Sequence, residues 1–217
     1  YGTPTLSDEN WKKNVDTAIA LNIPHLSCYA LTVEPKTALD KLIQKKKLAN
    51  VDNEKQARHF ELLMTWMKDA GYEHYEISNF AKPGFRSKHN SSYWQGKPYL
   101  GLGPSAHSFN GYSRQWNIAN NALYIQSISK SEVPAEEEIL TKEQRLNEYI
   151  MTSLRTMEGI SLYKVLEDFG EDKYRTVLKT ASSHLQHNHL TLENDHLITT
   201  AEGKLLADGI AADLFIL

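Results

Sequence analysis

The residues best suited to chemistry lie in the run HNSSYW, which contains a histidine, an asparagine and two large aromatic rings. His89 can offer an imidazole nitrogen to a metal, and Tyr93 with Trp94 can cover a flat apolar ligand. Haem needs both an axial donor and a flat apolar surface, so the run, with Asn90, is a candidate haem site. The residues alone favour the structural alternative, in which Trp94 anchors the segment in the core and His89 satisfies a backbone carbonyl, as an ordinary partly buried histidine does.

Glycines surround this run. The stretch from Tyr75 to Asn117 shows no long helical periodicity and mixes glycines with polar and aromatic side chains. Glycine allows tight turns and close approach of a ligand to the backbone, so the composition predicts the wall of a site. No lysine follows the glycines of GLGPSAHS, so the run is a poor match for a phosphate-binding P-loop. The glycines are Gly84, Gly96, Gly101, Gly103 and Gly111.

Two positions at the ends of predicted strands are further candidates. Tyr29 and Ala30 close a predicted strand and are followed by LTVEPKT, and ligands of β/α barrels bind at the carboxyl ends of strands. Periodicity alone favours a plain strand end there, followed by a turn fixed by Pro35. Glu76 can accept a hydrogen bond from a ligand, or it can pair with Arg86 or Lys82. The spacing of the carboxylates identifies no acid–base pair.

The charged and imidazole-rich part of the second half predicts no additional site. The histidines of HLQHNH have no cysteine or clear acidic partner beside them, so a solvated helix end explains them better than a metal. The lysines and arginines of this region alternate with acidic residues, which argues against a DNA-reading surface. A winged-helix-like shape alone does not imply DNA binding.

Composition limits the class of protein. The chain has 217 residues, of which 41% are hydrophobic, enough for one large domain or a domain with a small module. Its net charge of −3 gives no reason to expect general binding to nucleic acid or acidic membranes. No segment reaches the length of a transmembrane helix. The single cysteine, Cys28, excludes an internal disulfide and, with no signal peptide before Tyr1, favours a cytoplasmic protein.

Hydrophobic periodicity in the first part predicts alternating helices and strands. Ser7 caps a helix with Trp11 and Val15 on one face, and Asp52 caps a longer helix that ends at Gly71. Short apolar runs between and after these helices predict strands, which the α/β pattern arranges in a mainly parallel sheet. The predicted strands are His25–Leu31, Tyr72–Phe80 and Tyr99–Leu102.

The second part is predicted to form a separate module. The polar, acidic run SKSEVPAEEE, interrupted by Pro134, marks a boundary, so we predict domains at residues 1–130 and 131–217. Thr141 begins a sequence with capping-box spacing before an apolar helical stripe. The Asn194–Asp195 turn lies between two short strands of a hairpin. Three helices with this hairpin indicate a winged-helix-like module.

Three runs carry a resemblance to a known family: EISNFAKPG, HNSSYW and YLGLGPSAHS. They resemble the second half of the radical S-adenosylmethionine (SAM) proteins related to oxygen-independent coproporphyrinogen III oxidase. The HNxxYW pattern is similar to that of the HemW-type haem-chaperone branch. The resemblance covers essentially the whole chain. It implies an α/β fold class, namely the C-terminal part of a partial β/α barrel followed by a mainly helical, winged-helix-like module.

The resemblance also assigns cofactors and site residues. Ala30 aligns with a position that lines the SAM pocket, His107 with one that contacts SAM, and Gln95 with one near the ligand cavity of the oxidase branch. The full-length family protein holds a [4Fe-4S] cluster through three closely spaced cysteines, and this cluster binds SAM. Iron–sulfur clusters need several thiolates. Because Cys28 is the only thiol, we expect no metal ligands or catalytic residues in this chain, and no activity from it alone.

The function that the resemblance implies is part of a haem chaperone, which binds haem and transfers it to haem-requiring proteins. The first alternative is the oxidase, which decarboxylates two propionates to form protoporphyrinogen IX. A DNA-binding regulator is a third alternative. We expect haem and haem-requiring clients as partners, and no nucleic acid. Because the family is midway round its barrel at YGTP, we also expect an open sheet edge and self-association across it.

Overall fold

A computed structural model describes residues 1–216. The chain divides into two compact units, Tyr1–Ser87 and the part from Lys88 onward. The domain boundary expected after residue 130 is a different division, and it stays a prediction. The mixed α/β fold class is confirmed: the described residues contain three small antiparallel sheets and ten helices.

The first unit is built on two capped helices and a small sheet. The Ser7 side chain accepts a hydrogen bond from the Asn10 backbone N–H, and Asp52 accepts from the N–H groups of Glu54 and Lys55, which confirms both predicted caps. In chain order its elements are α1 (Asp8–Ala20), β1 (His25–Ser27), α2 (Ala38–Gln44), α3 (Asn53–Asp69), β2 (Glu73–Glu76) and β3 (Asn79–Ala81).

The core of the first unit lies where the apolar faces of α1 and α3 meet the sheet. Val15 of α1 packs with Leu63 and Met67 of α3 and with Phe80 of β3, and the last three are completely buried. These residues recur at the helical spacing seen in the sequence. Burial of this stripe fixes both helices against the strands that carry the candidate residues.

The predicted parallel sheet is wrong. Its strands are arranged in the order β1-β3-β2, and β3 runs antiparallel to both neighbours. The predicted strand Tyr72–Phe80 is in fact a hairpin, because the Glu76 carboxylate accepts a hydrogen bond from the Ser78 N–H and turns the chain back on itself. β1 and β2 therefore run in the same direction, but β3 separates them.

The second unit begins with a short helix and a second sheet. The sheet has the order β4-β5-β6, and both pairs are antiparallel. The strand predicted at Tyr99–Leu102 is reduced to a single bridge, in which Tyr99 pairs with Phe109. The elements are α4 (Lys88–Trp94), β4 (His107–Phe109), β5 (Ser113–Asn117), α5 (Asn121–Ile128) and β6 (Ala135–Ile139).

The remaining elements form the predicted winged-helix-like module. Thr141 and Gln144 make both bonds of the capping box, and the Asn194–Asp195 turn has positive φ at both residues and joins β8 to β9. The third sheet has the order β7-β9-β8. The elements are α6 (Lys142–Leu154), β7 (Ile160–Ser161), α7 (Leu162–Phe169), α8 (Glu171–Gln186), β8 (Leu190–Glu193), β9 (His196–Thr199), α9 (Ala201–Leu205) and α10 (Ala207–Asp213).

This module has its own core. Leu146, Ile150 and Leu154 of α6 are fully buried against Val177 of α8 and Leu197 of β9. The apolar stripe of α6 is thus the one seen in the sequence. Among residues 1–216, no helix has both the length and the apolar character needed to cross a membrane.

Candidate functional site

The HNSSYW run forms the helix α4. Seven residues make up this helix, and none of them is buried. Residues four positions apart lie on the same helical face, so His89 and Tyr93 are neighbours, with ring centroids 5.1 Å apart and planes nearly perpendicular. Both side chains are exposed. The helix therefore presents an imidazole and an aromatic ring together to solvent.

A row of aromatic rings continues from α4 onto the second sheet. Tyr93 contacts Tyr99 at 4.8 Å between ring centroids, and Tyr99 lies 6.2 Å from Phe109. We call His89, Tyr93, Tyr99 and Phe109 the aromatic row. Tyr99 and Phe109 were not singled out in the sequence. The backbone bridge between them joins two segments separated by a loop, so no local pattern predicts it. The signal that could have indicated a shared sheet face is the alternation of His107 and Phe109 along one strand.

The same sheet face carries the histidine assigned to SAM. His107 of β4 lies directly across from Trp116 of β5, with ring centroids 6.4 Å apart. Because side chains alternate along a strand, His107 and Phe109 point to the same side of the sheet. His107 is exposed. Two of the predicted haem residues, His89 and Tyr93, thus lie on the same side of the second sheet as His107.

The glycines of GLGPSAHS pack against, and bond to, other parts of the chain. A β-carbon on Gly101 would lie 2.1 Å from the His107 carbonyl oxygen, so the close approach at this glycine is to the chain's own backbone. Asn117, which is buried, donates to the Gly103 carbonyl at 2.9 Å. The Gly103 N–H donates to the Tyr124 hydroxyl at 3.2 Å. Close packing and these bonds fix the segment that precedes His107.

Trp94 has different surroundings from His89 and Tyr93. The Arg155 guanidinium of α6 lies 5.2 Å from the Trp94 ring, a cation–π contact. The indole Nε1 is buried and has no hydrogen-bond partner. These contacts fit the anchoring alternative for Trp94. Asn90 is half-buried on α4, and Gln95, the residue after the helix, is exposed.

Carboxylates border the aromatic side of the second sheet. Glu136 is paired with Trp116, and Glu138 with Arg114, across the β5–β6 ladder. All five residues of β6 are exposed. Arg114 also donates to the Glu148 carboxylate of α6 at 2.6 Å. The positive charge of Arg114 is therefore already balanced, and the outer edge of this face is acidic.

Ala30 belongs to the first unit, whereas His107 belongs to the second. Ala30 is half-buried and lies beyond the end of β1. Both of its neighbours are bonded to Tyr1: the Leu31 N–H donates to the Tyr1 carbonyl at 2.9 Å, and the Tyr1 nitrogen donates to the Tyr29 carbonyl at 2.7 Å. The assignment of Ala30 to SAM therefore stays a prediction.

Glu76 serves the hairpin of the first unit. This carboxylate is 1% exposed and accepts from the Ser78 N–H at 3.0 Å and from the Asn79 amide. Asn79 in turn accepts from the Ser27 hydroxyl at 2.6 Å. Arg86 pairs with Glu73, at the start of the same hairpin, at 2.9 Å. The observed contacts of Glu76 support its role in the β2–β3 turn.

The thiol content of the described residues does not fit an iron–sulfur cluster. Cys28 is half-buried, and burial raises the pKa of its thiol to about 11, so it is protonated at neutral pH. Metal-binding cysteines act as thiolates. Within residues 1–216, no three or more His, Cys, Asp or Glu side chains are grouped to hold a metal ion.

Comparison with known proteins identifies the relatives of the chain. Residues 140–206 match the HemN C-terminal domain. The sequence is 32% identical to the haem chaperone HemW of Mycobacterium tuberculosis over 99% of this chain, and 34% identical to HemW of Bacillus subtilis over 97%. The chain is a relative of the HemW and HemN proteins. Because it contains the HemN C-terminal domain, it corresponds to a C-terminal portion of that family. It spans 53% and 56% of the lengths of the two HemW proteins.

A solved structure supports the fold. Coproporphyrinogen III oxidase HemN from Escherichia coli, described as a radical SAM enzyme, superimposes with a TM-score of 0.76. The match covers 99% of this chain and 53% of HemN, at 17% sequence identity. At that identity the likeness demonstrates a shared fold and does not by itself favour the oxidase reaction.

Proposed function

We propose that this chain is part of a haem chaperone that binds haem and transfers it to haem-requiring proteins. The observation that carries the proposal is α4, where the exposed His89 imidazole lies 5.1 Å from the Tyr93 ring. This pairing offers haem an axial ligand beside a flat apolar surface. The similarity to HemW proteins over nearly the whole chain supports the same function.

The remaining site assignments complete the proposal. Asn90 and Trp94 belong to the haem-binding helix, with Trp94 holding the helix in place through Arg155. In the full-length protein, Ala30 and His107 contact SAM, and Gln95 lies near the ligand cavity. The [4Fe-4S] cluster belongs to that protein as a whole, because Cys28 alone cannot hold it. We propose a cytoplasmic location for the protein, because thiols such as that of Cys28 stay reduced there.

The test is a haem titration of the full-length protein and its His89→Ala variant, followed at the Soret band. If the imidazole is an axial ligand, the substitution shifts the Soret band or weakens haem binding. His187→Ala is a matched control, since His187 is an exposed histidine of the winged-helix-like module. If the His89→Ala protein is well folded and its haem titration is unchanged, His89 is not an axial ligand of haem.

A second assay separates the chaperone from the oxidase. The full-length protein is reconstituted anaerobically and incubated with coproporphyrinogen III, SAM and a reductant. A chaperone returns the porphyrinogen unchanged but passes bound haem to an apo acceptor protein. Formation of protoporphyrinogen IX with release of carbon dioxide would establish the oxidase instead.

A further inference from the structure

We propose that Tyr99 and Phe109 are porphyrin-contacting residues that extend the haem surface from α4 onto the second sheet. This inference rests on the proposed function, since it concerns the same ligand. It adds two residues outside the HNSSYW run, and it assigns the binding energy to two separable sources, the iron–imidazole bond and ring stacking.

The first argument is the continuity of the aromatic row. Successive ring centroids are 5.1 Å apart from His89 to Tyr93, 4.8 Å from Tyr93 to Tyr99 and 6.2 Å from Tyr99 to Phe109. All three centroid distances lie within the range that is usual for aromatic pairs. His89 and Tyr93 are exposed, while Tyr99 and Phe109 are half-buried. Part of the row thus stays accessible to a flat ligand beside the imidazole.

The second argument is rigidity. Tyr99 and Phe109 exchange both backbone hydrogen bonds, each 2.9 Å long, as directly opposed residues of an antiparallel ladder do. Phe109 is also paired with Arg114 on the other side. A surface held in this way loses little conformational entropy when a ligand binds.

The third argument concerns α4 itself. None of its seven residues is buried, so few contacts determine where its exposed side chains lie. Tyr99 packs against Tyr93, which in turn packs against His89. Tyr99 is therefore a positioning residue for the proposed ligand His89 as well as a contact for the macrocycle.

Metal-free protoporphyrin IX distinguishes the two sources of energy. It has the same flat ring and propionates as haem but has no iron to bond with His89. Binding of this porphyrin reports ring stacking and propionate contacts without the iron–imidazole bond. Binding of haem reports stacking together with the axial bond.

The experiment titrates haem and protoporphyrin IX into the full-length protein and its variants. We expect Tyr99→Ala to weaken binding of both porphyrins by about tenfold, the size of one aromatic stacking contact. His89→Ala should weaken haem binding but leave protoporphyrin IX binding within about twofold. Tyr99→Phe, which keeps the ring, should restore both affinities. Tyr112→Ala is the control, because Tyr112 is 70% exposed and packs on Arg145 outside the row.

The outcomes separate this inference from the proposed function. If wild-type protein binds haem and folded Tyr99→Ala binds both porphyrins normally, the inference is overturned and the function stands. If wild-type protein binds neither porphyrin, the proposed function fails. Should Tyr99→Ala not fold, Phe109→Leu keeps an apolar side chain but removes a flat ring. If folded Phe109→Leu binds both porphyrins with unchanged affinity, the inference that these rings contact the porphyrin is likewise overturned.

Discussion

At the residue scale, Trp94 is set apart from the other rings of α4 by its contact with Arg155 and by its buried indole nitrogen. The Trp94 ring contacts another helix and therefore contributes to the stability of the fold. The Tyr93 ring is exposed, so its main contribution is to the surface that a ligand could contact. The HNSSYW run therefore combines an anchor with the proposed haem-binding face. This division of roles leads to a prediction about stability.

We predict that Trp94→Ala lowers the free energy of unfolding by about 1–3 kcal/mol, less than the roughly 3–5 kcal/mol of a fully buried tryptophan. The loss comes from packing and from the cation–π contact with Arg155. Urea unfolding of the full-length protein measures it, with Tyr93→Ala as the control for an exposed ring of the same helix. Normal stability combined with lost haem affinity would instead make Trp94 a direct haem contact.

Gly101 is a second residue with a specific role. Any β-carbon there meets the His107 backbone, at 2.1 Å from the carbonyl oxygen. We predict that Gly101→Ala destabilises the protein by about 1–3 kcal/mol, as overpacking does. Gly209→Ala is the control, since nothing lies within 4 Å of its added β-carbon and it is in the helix α10. That change should be neutral or stabilise by about 0.5–1 kcal/mol. Equal melting temperatures for the two variants would contradict the backbone clash.

At the scale of elements, His59 links α1, α3 and the segment before them. Its Nδ1 accepts from the Gly2 N–H at 3.2 Å, and its Nε2 lies 3.0 Å from the Asp8 carboxylate. Because Nδ1 is an acceptor, the proton of the neutral ring is on Nε2 and donates to Asp8. The side chain is completely buried. A second proton on Nδ1 would face the Gly2 N–H and break that bond.

This arrangement predicts a loss of stability in acid. Burial lowers the pKa of His59 below its ordinary value of 6.5, although the Asp8 carboxylate favours the charged form, and Lys55 and Arg58 oppose it. The unfolded chain therefore binds a proton at higher pH than the folded chain does. The free energy of unfolding should therefore keep its full value above about pH 6.5 and decrease as the pH falls below that value.

Unfolding measured between pH 7.5 and about 5 checks this prediction. His59→Gln removes the titrating group and should flatten the pH dependence. Some slope should remain, because burial also lowers the pKa of His25. Identical slopes for the wild-type protein and His59→Gln would show that His59 does not link protonation to folding.

At the scale of the whole molecule, the thiol content limits what the chain can do alone. Its one cysteine, Cys28, has a thiol pKa raised to about 11 by burial. We predict that the 217-residue chain takes up no stoichiometric iron and sulfide on anaerobic reconstitution, and that it binds SAM weakly or not at all. Iron and sulfide analysis with absorption spectroscopy measures this. A visible charge-transfer band at stoichiometric iron would contradict it.

Self-association across an open sheet edge also stays a prediction. An exposed edge offers unpaired backbone donors and acceptors to another chain. Sedimentation of the 217-residue chain over a range of concentrations measures the effect, and we expect a dimer or larger species. A monomer at every concentration would refute association across the edge.

Local chemistry explains why much of this protein could be predicted from its sequence. Ser7, Asp52 and Thr141 cap helices because each side chain reaches a backbone N–H two or three residues ahead. The hairpin at Asn194–Asp195 depends on two adjacent residues that tolerate positive φ. The HNSSYW run likewise supplied a donor and a ring close together in the chain, although its helix was not predicted, and the four-residue spacing brings the two rings together in that helix. Each of these features involves neighbours in the chain.

Only the tertiary structure decided which distant segments pair. The place of β3 between β1 and β2, and the contact of Tyr99 with Phe109, join residues whose pairing no short sequence pattern specifies. Strand order depends on the burial of whole faces and on loop closure, which sum over many residues. The sequence therefore determined the helix ends, the hairpin and the presence of a donor and a ring as a pair in the HNSSYW run. The tertiary structure decided the antiparallel sheets and the aromatic surface beside that pair.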